Sequence, residues 1–107
     1  MLKKSERVAR ADFLQFFKTG RRFHSTHLTL VYVPHPTFHG SVVVSKKVSK
    51  LAVTRNKIRR RIYARLQTLR AIGGVYIVHV KPSFSTLTKH EAGLEIEALI
   101  GRMKKTA

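Results

Sequence analysis

The chain has 107 residues, 43% of them hydrophobic, which suffices for one compact core and not for two, so a single domain over residues 1–107 is expected. Twenty-two Lys and Arg against five Asp and Glu give a formal charge of +17, a self-repulsion that a polyanion relieves; nucleic acid comes first as partner and an anionic membrane second. The absence of cysteine excludes disulfide frameworks and thiolate zinc modules, and no apolar run approaches the ~20 residues of a spanning helix. The opening MLKKSERVARADF lacks the apolar stretch of a secretory signal, so a soluble protein inside the cell is expected.

In chain order, VARADFLQFFKTG reads as a short helix: Phe13, Phe16 and Phe17 recur at helical spacing and Gly20 is the expected stop. Then RRFHSTHLTLVYVP alternates Leu28, Leu30 and Tyr32 against Thr29, Val31 and Val33, a strand ended by Pro34 and Pro36, with Phe23 starting a shorter strand before it. A turn is expected over HPTFHG, followed by SVVVSKKV as a buried central strand with Lys46 and Lys47 at its far end. From Thr54 the main helix begins, TRNKIRRRIYARLQTLR, with Ile58, Ile62, Leu66 and Leu69 on one stripe. Gly73 and Gly74 stop it, VYIVHV is the next strand, and Thr88–Glu91 has capping-box spacing ahead of a last helix carrying Leu94, Ile96, Leu99, Ile100 and Met103 as apolar positions. The order α, β, β, β, α, β, α makes an α+β fold of one sheet and several helices.

The chemistry is concentrated in cations. Lys46, Lys47, Lys50, Arg55, Lys57, Arg59, Arg60, Arg61 and Arg65 cluster at the third strand's end and along the main helix. A solvated helix face is the ordinary account of such charge, but here the acids that would form i,i+4 pairs are missing, and like charges repel at that spacing. An external polyanion removes the conflict, and arginine suits bidentate phosphate contacts and stacking on bases. Asn56, a neutral donor and acceptor among them, can fix local backbone or touch RNA. The carboxylates are Glu6, Asp12, Glu91, Glu95 and Glu97, with none between Asp12 and Glu91, so the centre of the chain lacks the oxygen ligands that a metallonuclease requires.

Phe13 and Phe17, four apart, share a helix face. Three phenylalanines on one short helix are ordinarily core, yet an aromatic beside a basic groove can stack on unpaired bases. The histidines His24, His27, His35, His39, His79 and His90 show no spacing typical of acid–base cleavage or metal binding, and His35 and His39 are expected as exposed turn residues.

Together, VVVSKKV, TRNKIRRRIYARL, the preceding DFLQFFKTGRR and the following VYIVHVKP resemble the protein subunit of bacterial ribonuclease P across essentially the whole chain. The most specific element is an Arg-Asn-Arg/Lys box opening a basic helix soon after a Val-Ser-Lys-Lys strand end. The resemblance implies a ribonucleoprotein that removes the 5′ leader from precursor tRNA, with catalysis on a large RNA and no catalytic residue on the protein. By position it implies leader binding by Phe13 and Phe17, with Val31 and Lys46 in the same cleft. RNA binding is implied for Lys47, Lys50, Arg55, Asn56, Lys57, Arg59, Arg60, Arg61 and Arg65. Mg2+ is expected in the holoenzyme, held mainly by RNA, with no metal or other cofactor bound tightly by the protein. The implied partners are the catalytic RNA subunit and the precursor-tRNA leader, with no membrane and no obligatory protein partner, in the bacterial cytoplasm. The implied fold is like the second domain of ribosomal protein S5, with a left-handed βαβ crossover, against the usual hand. Two positions depart from the family pattern: Ser49 stands where Gly is usual, which puts the turn into the helix in question, and Lys57 stands where Arg is commoner. A structural ribosomal RNA-binding protein is the alternative with the same charge, and an independent protein ribonuclease is a third, disfavoured by the missing carboxylates.

Overall fold

The computed structural model describes residues 4–8 and 10–106. Its main elements are α1 (Arg10–Thr19), β1 (Arg21–His24), β2 (Leu28–Val33), β3 (Phe38–Val43), α2 (Ala52–Leu66), β4 (Gly74–Val80) and α3 (Lys89–Thr106), in the expected order. Short 3-10 turns occupy Lys4–Glu6, Gln67–Leu69 and Pro82–Thr86.

The sheet runs β1-β2-β4-β3, antiparallel except for β3 and β4, which pair in parallel across the α2 connection. β3 is therefore an edge strand, not the central one expected from its apolar sequence. The interior positions belong to β2 and β4, each paired on both sides, and β4 is buried at every residue except His79. β3 also begins at Phe38, inside the expected turn, because Phe38, Gly40 and Val42 alternate inward in register with Gly74, Tyr76 and Val78. It ends at Val43, so Lys46 and Lys47 lie beyond it in a turn. The outer edge of β3 is partly covered by a parallel bridge between Arg7 and Gly40, which limits the open backbone an edge strand presents.

Alternation splits the sheet into two unequal faces. Leu28, Leu30, Tyr76, Val78 and Val80 point to one face, where the α2 stripe Ile58, Ile62 and Leu66, then Leu69, and the α3 residues Ile96, Leu99, Ile100 and Met103 complete the larger core. Ile62, Leu66 and Leu69 are fully buried, and each such side chain contributes ~1.5–3 kcal/mol relative to exposure. Leu94, expected among these apolar positions, is instead 58% exposed, and Ala92 is buried in the helix's inward face. On the other face Val31, Val75 and Ile77 form a small cluster under α1, packed against Val8, Phe13, Phe16, Phe17 and Val33.

Helix ends follow local chemistry. The Thr88–Glu91 box closes reciprocally: the Glu91 N–H donates to Thr88 Oγ1 at 3.1 Å and the Thr88 N–H to Glu91 Oε1 at 2.9 Å. These bonds hold the Glu91 carboxyl below its usual pKa range. α2 starts two residues before Thr54 and stops at Leu66, well before Gly73, with the chain tightening into the Gln67–Leu69 turn. Gly73 and Gly74, at φ 77° and 101°, then make the left-handed path into β4. Gly20 ends α1 for another reason: a Cβ there would lie 2.3 Å from Val31 Cγ1, so glycine permits close approach of chain to sheet. Ser49 needs no left-handed backbone, since no described non-glycine residue has positive φ, and its hydroxyl accepts the Leu51 N–H at 3.3 Å.

The scarce carboxylates join segments distant in sequence. Glu6 accepts two bonds from Arg70, at 2.7 and 2.8 Å, an arrangement that raises the Arg70 pKa through the hydrogen bond first. Glu95 Oε2 accepts from Ser25 Oγ at 2.6 Å and from the His27 N–H at 2.9 Å, tying the β1–β2 loop to α3. Glu97 pairs with Arg65, linking α3 to α2.

Candidate nucleic-acid interface

The face under α1 carries the aromatic candidates. Phe13 and Phe17 stack at 5.9 Å with an interplanar angle of 16°, both half-buried, while Phe16 turns toward the His35 ring. The Arg22 guanidinium lies 4.4 Å over the Phe17 ring and donates to the Phe17 carbonyl at 2.8 Å. Cation, ring pair and helix end are thus one unit, and cation–π contact holds the arginine over the aromatic.

Strand register shows what lies beside that pair. His24, Thr29, His79 and Val43 are successive cross-strand partners, which places them in one row across the sheet. Thr29 and His79 share the alternation phase of Val31 and Ile77, so this row is on the α1 face, beyond the cluster that α1 covers. His24 Nδ1 lies 3.2 Å from Thr29 Oγ1, and Thr29 is the buried polar residue among the described core positions. The next row, Arg22, Val31, Ile77 and Ser41, leads under α1. A polar row results, with His24 exposed and His79 half-buried on either side of the buried Thr29, flanked by stacked aromatics and a cation.

Val31 itself has no exposed surface; it lies beneath the aromatics and supports them. Lys46 is exposed in the turn after β3, at the end of the sheet where Val43 pairs with His79. Sequence reasoning missed Arg22, His24, Thr29 and His79. The alternation of β2 put Thr29 and Val31 in phase, but which residues lie opposite them depends on a pairing that no local pattern reports.

The cations divide into two groups. Arg55 Nη1 donates to the carbonyls of Ser49 and Lys50, both at 3.0 Å, bracing the turn into α2. Arg59 donates to Asn56 Oδ1 at 2.8 Å and reaches the Val44 carbonyl at 3.4 Å, so Asn56 orients an arginine that ties α2 to the end of β3. Arg65 is held by Glu97. Lys46, Lys47, Lys50, Lys57, Arg60 and Arg61 are exposed and make no side-chain hydrogen bond or ion pair with the described residues. α2 has no acid in its first turn and no side-chain cap, so its positive end is not neutralised internally.

His35 and His39, expected as exposed turn residues, are half-buried; their rings meet edge-on at 5.0 Å, and Thr37 Oγ1 lies 3.1 Å from His35 Nδ1 and 2.8 Å from His39 Nε2. His39 belongs to β3, and Thr37 links it to His35 across the turn that precedes the strand. Among the described residues no three His, Asp or Glu side chains converge as a metal ion would require, and no helix is long and apolar enough to cross a membrane.

This architecture, a four-stranded sheet with a cationic helix between two parallel strands and a lightly covered opposite face, is the fold of ribonuclease P proteins: the Staphylococcus aureus RNase P protein superposes with a TM-score of 0.83 at 23% identity, over 94% of this chain and 97% of that one. In sequence, the ribonuclease P protein component of Pseudanabaena is 33% identical over 89% of this chain and 87% of its own length. That of Microcystis aeruginosa is 42% identical over 56% of this chain and 55% of its own. The Ribonuclease P family model matches residues 2–104, and the chain belongs to that family.

Proposed function

We propose that the chain is the accessory protein subunit of ribonuclease P, binding the catalytic RNA through its cationic face and the single-stranded 5′ leader of precursor tRNA through the strip beside α1. The observation that carries this reading is the Phe13–Phe17 stack, half-exposed, with Arg22 above it and the row His24–Thr29–His79 beside it. Unpaired bases have π-faces that stack on such rings irrespective of sequence, while a duplex presents none. Lys46, at the end of the same strip, meets the leader's phosphates. Lys47, Lys50, Lys57, Arg60 and Arg61 face the catalytic RNA, and Arg55, Asn56, Arg59 and Arg65 hold the scaffold from which they project.

In this reading the protein contributes no group to bond cleavage. Mg2+ is held mainly by RNA, and the protein lowers the concentration required by neutralising phosphates that would otherwise repel substrate. The complex forms in the bacterial cytoplasm, without an obligatory protein partner.

The test is 5′ cleavage of a precursor tRNA by a bacterial ribonuclease P RNA at low magnesium, with the protein, without it, and with protein alone. Stimulation only when both are present supports the reading. Absence of stimulation by a folded, RNA-binding protein moves the function to a structural RNA-binding role, and cleavage by protein alone overturns it.

A further inference from the structure

On the side of the molecule away from α1, three adjoining hollows run along the flank of α2. One lies against the Pro82–Thr86 turn and shares Arg61 and Ala92 with a middle hollow; the middle one shares Arg65, Lys89 and Gly93 with a third, which ends at the exposed Leu94. The result is a continuous furrow between α2 and the N-terminal half of α3, extending from the level of Thr54 to Arg65, about 16 Å at the rise of a helix. It is separated from the aromatic strip by the whole thickness of the sheet.

Its chemistry is specific. A Cβ on Gly93 would lie 2.9 Å from Arg65 Nη2, so the guanidinium rests against the α3 backbone there, and its ion pair with Glu97 fixes the plane. A fixed guanidinium plane beside Leu94 is a stacking surface for a flat ring. Arg61 and Lys89 stand on the rim, exposed and without an ion pair among the described residues, and the carboxylate lining the furrow, Glu97, is already used by Arg65. Apolar floor, planar cation and free rim cations complement an anionic strand with exposed bases.

We infer that the furrow between α2 and α3 is a second binding site for single-stranded RNA, taking an unpaired stretch of the RNA partner with a base on Arg65 and Leu94 and flanking phosphates at Arg61 and Lys89. The inference rests on the RNA-binding reading above but not on leader recognition. An RNA bound on this side and a leader on the α1 side grip the protein from opposite faces of its sheet.

Leu94→Glu and Ala64→Glu place a carboxylate in the furrow at exposed positions, whereas Thr26→Glu adds the same charge at an exposed position on the β1–β2 loop, outside it. Binding of the full chain to an in vitro transcribed bacterial ribonuclease P RNA, with circular dichroism confirming folding, is the measurement. Both furrow variants should weaken binding about tenfold, the loss of one stacked base, with Thr26→Glu near wild type and with the preference for precursor over mature tRNA unchanged. A 4-thiouridine-substituted RNA should crosslink to residues of α2 and α3 lining the furrow. Equal losses in all three variants, crosslinks confined to the α1 face, or equally tight binding of poly-glutamate would overturn the site. Loss of leader preference in Phe17→Ala alone, with the furrow variants silent, would leave the leader reading standing and remove this one.

Discussion

The two faces of the sheet are built on different terms. The α2/α3 face buries a continuous apolar layer in which Ile62, Leu66, Leu69 and Tyr76 have no exposed surface. The α1 face has a small apolar cluster of Val31, Val75 and Ile77, under a ten-residue helix whose three phenylalanines all remain half-exposed. One face holds the fold, and the other leaves aromatic area and a polar row open at little cost to the first. Binding surface is separated from stability by the sheet itself.

Substitutions on either face can break that division. Ile62→Ala should destabilise by about 2–5 kcal/mol in denaturant unfolding, the cost of a cavity at a site that cannot collapse, with leader preference unchanged while the chain is folded. Phe17→Ala should do the reverse: precursor-tRNA affinity falls by about 1–3 kcal/mol while mature-tRNA affinity holds, and the unfolding midpoint moves less than for Ile62→Ala. If Phe17→Ala proved the more destabilising change, the α1 face would be core and the division between faces would not hold.

The cations sharpen it further. Arg60→Ala should flatten the log–log dependence of RNA affinity on salt by about 0.7–0.9 for each phosphate that the side chain no longer neutralises, without altering stability. Arg55→Ala should lower stability first, since it removes two bonds bracing the turn into α2. Smaller effects test the edges of the large core. Thr88→Ala should cost about 1 kcal/mol by removing the α3 cap. The folded Glu91 pKa is lowered, so its contribution is present above the ordinary carboxylate range and lost as pH falls through the folded value; Thr88→Ala should reduce that acid sensitivity in pH-dependent melts. Tyr76 is shifted the other way. Burial, with Tyr32 alongside, pushes its hydroxyl up to about 12, so its contribution holds below pH 10 and is lost as pH rises from about 10 to 12. Tyr76→Phe should flatten the alkaline side of the stability profile while losing the bond to the Gly73 carbonyl.

Much of this was legible from local pattern. The α2 stripe, the Thr88–Glu91 box and the order of elements are written in spacing, and spacing is what a helix or cap reads. The cationic cluster and both aromatics were visible too, because charge and ring size need no partner to be recognised. What was not legible is whatever pairing decides. SVVV is apolar enough for a sheet centre, yet β3 lies at an edge because β4 took the place between it and β2. Leu94 fits an apolar helix position but lies at the open end of the hollow between α2 and α3, 58% exposed. The row His24–Thr29–His79 exists only once three strands, β1, β2 and the β4 that follows β3 and α2, are in register. Nor does a run of arginines announce that Arg55 and Arg59 brace backbone while Arg60 and Arg61 face outward.

The carboxylates also impose an order in time. The ties of Glu95 to the β1–β2 loop, Glu97 to Arg65 and Glu91 to Thr88 all depend on residues near the C-terminal end. A ribosome adding residues from the N-terminus produces the whole cationic helix with only Glu6 and Asp12 as internal counter-charges until Glu91 is made. The cationic helix is thus made before the three acids of α3 that clasp the fold, and because α3 also carries Lys89, Arg102, Lys104 and Lys105, those acids act as local ties and leave the net charge of the chain to its partner.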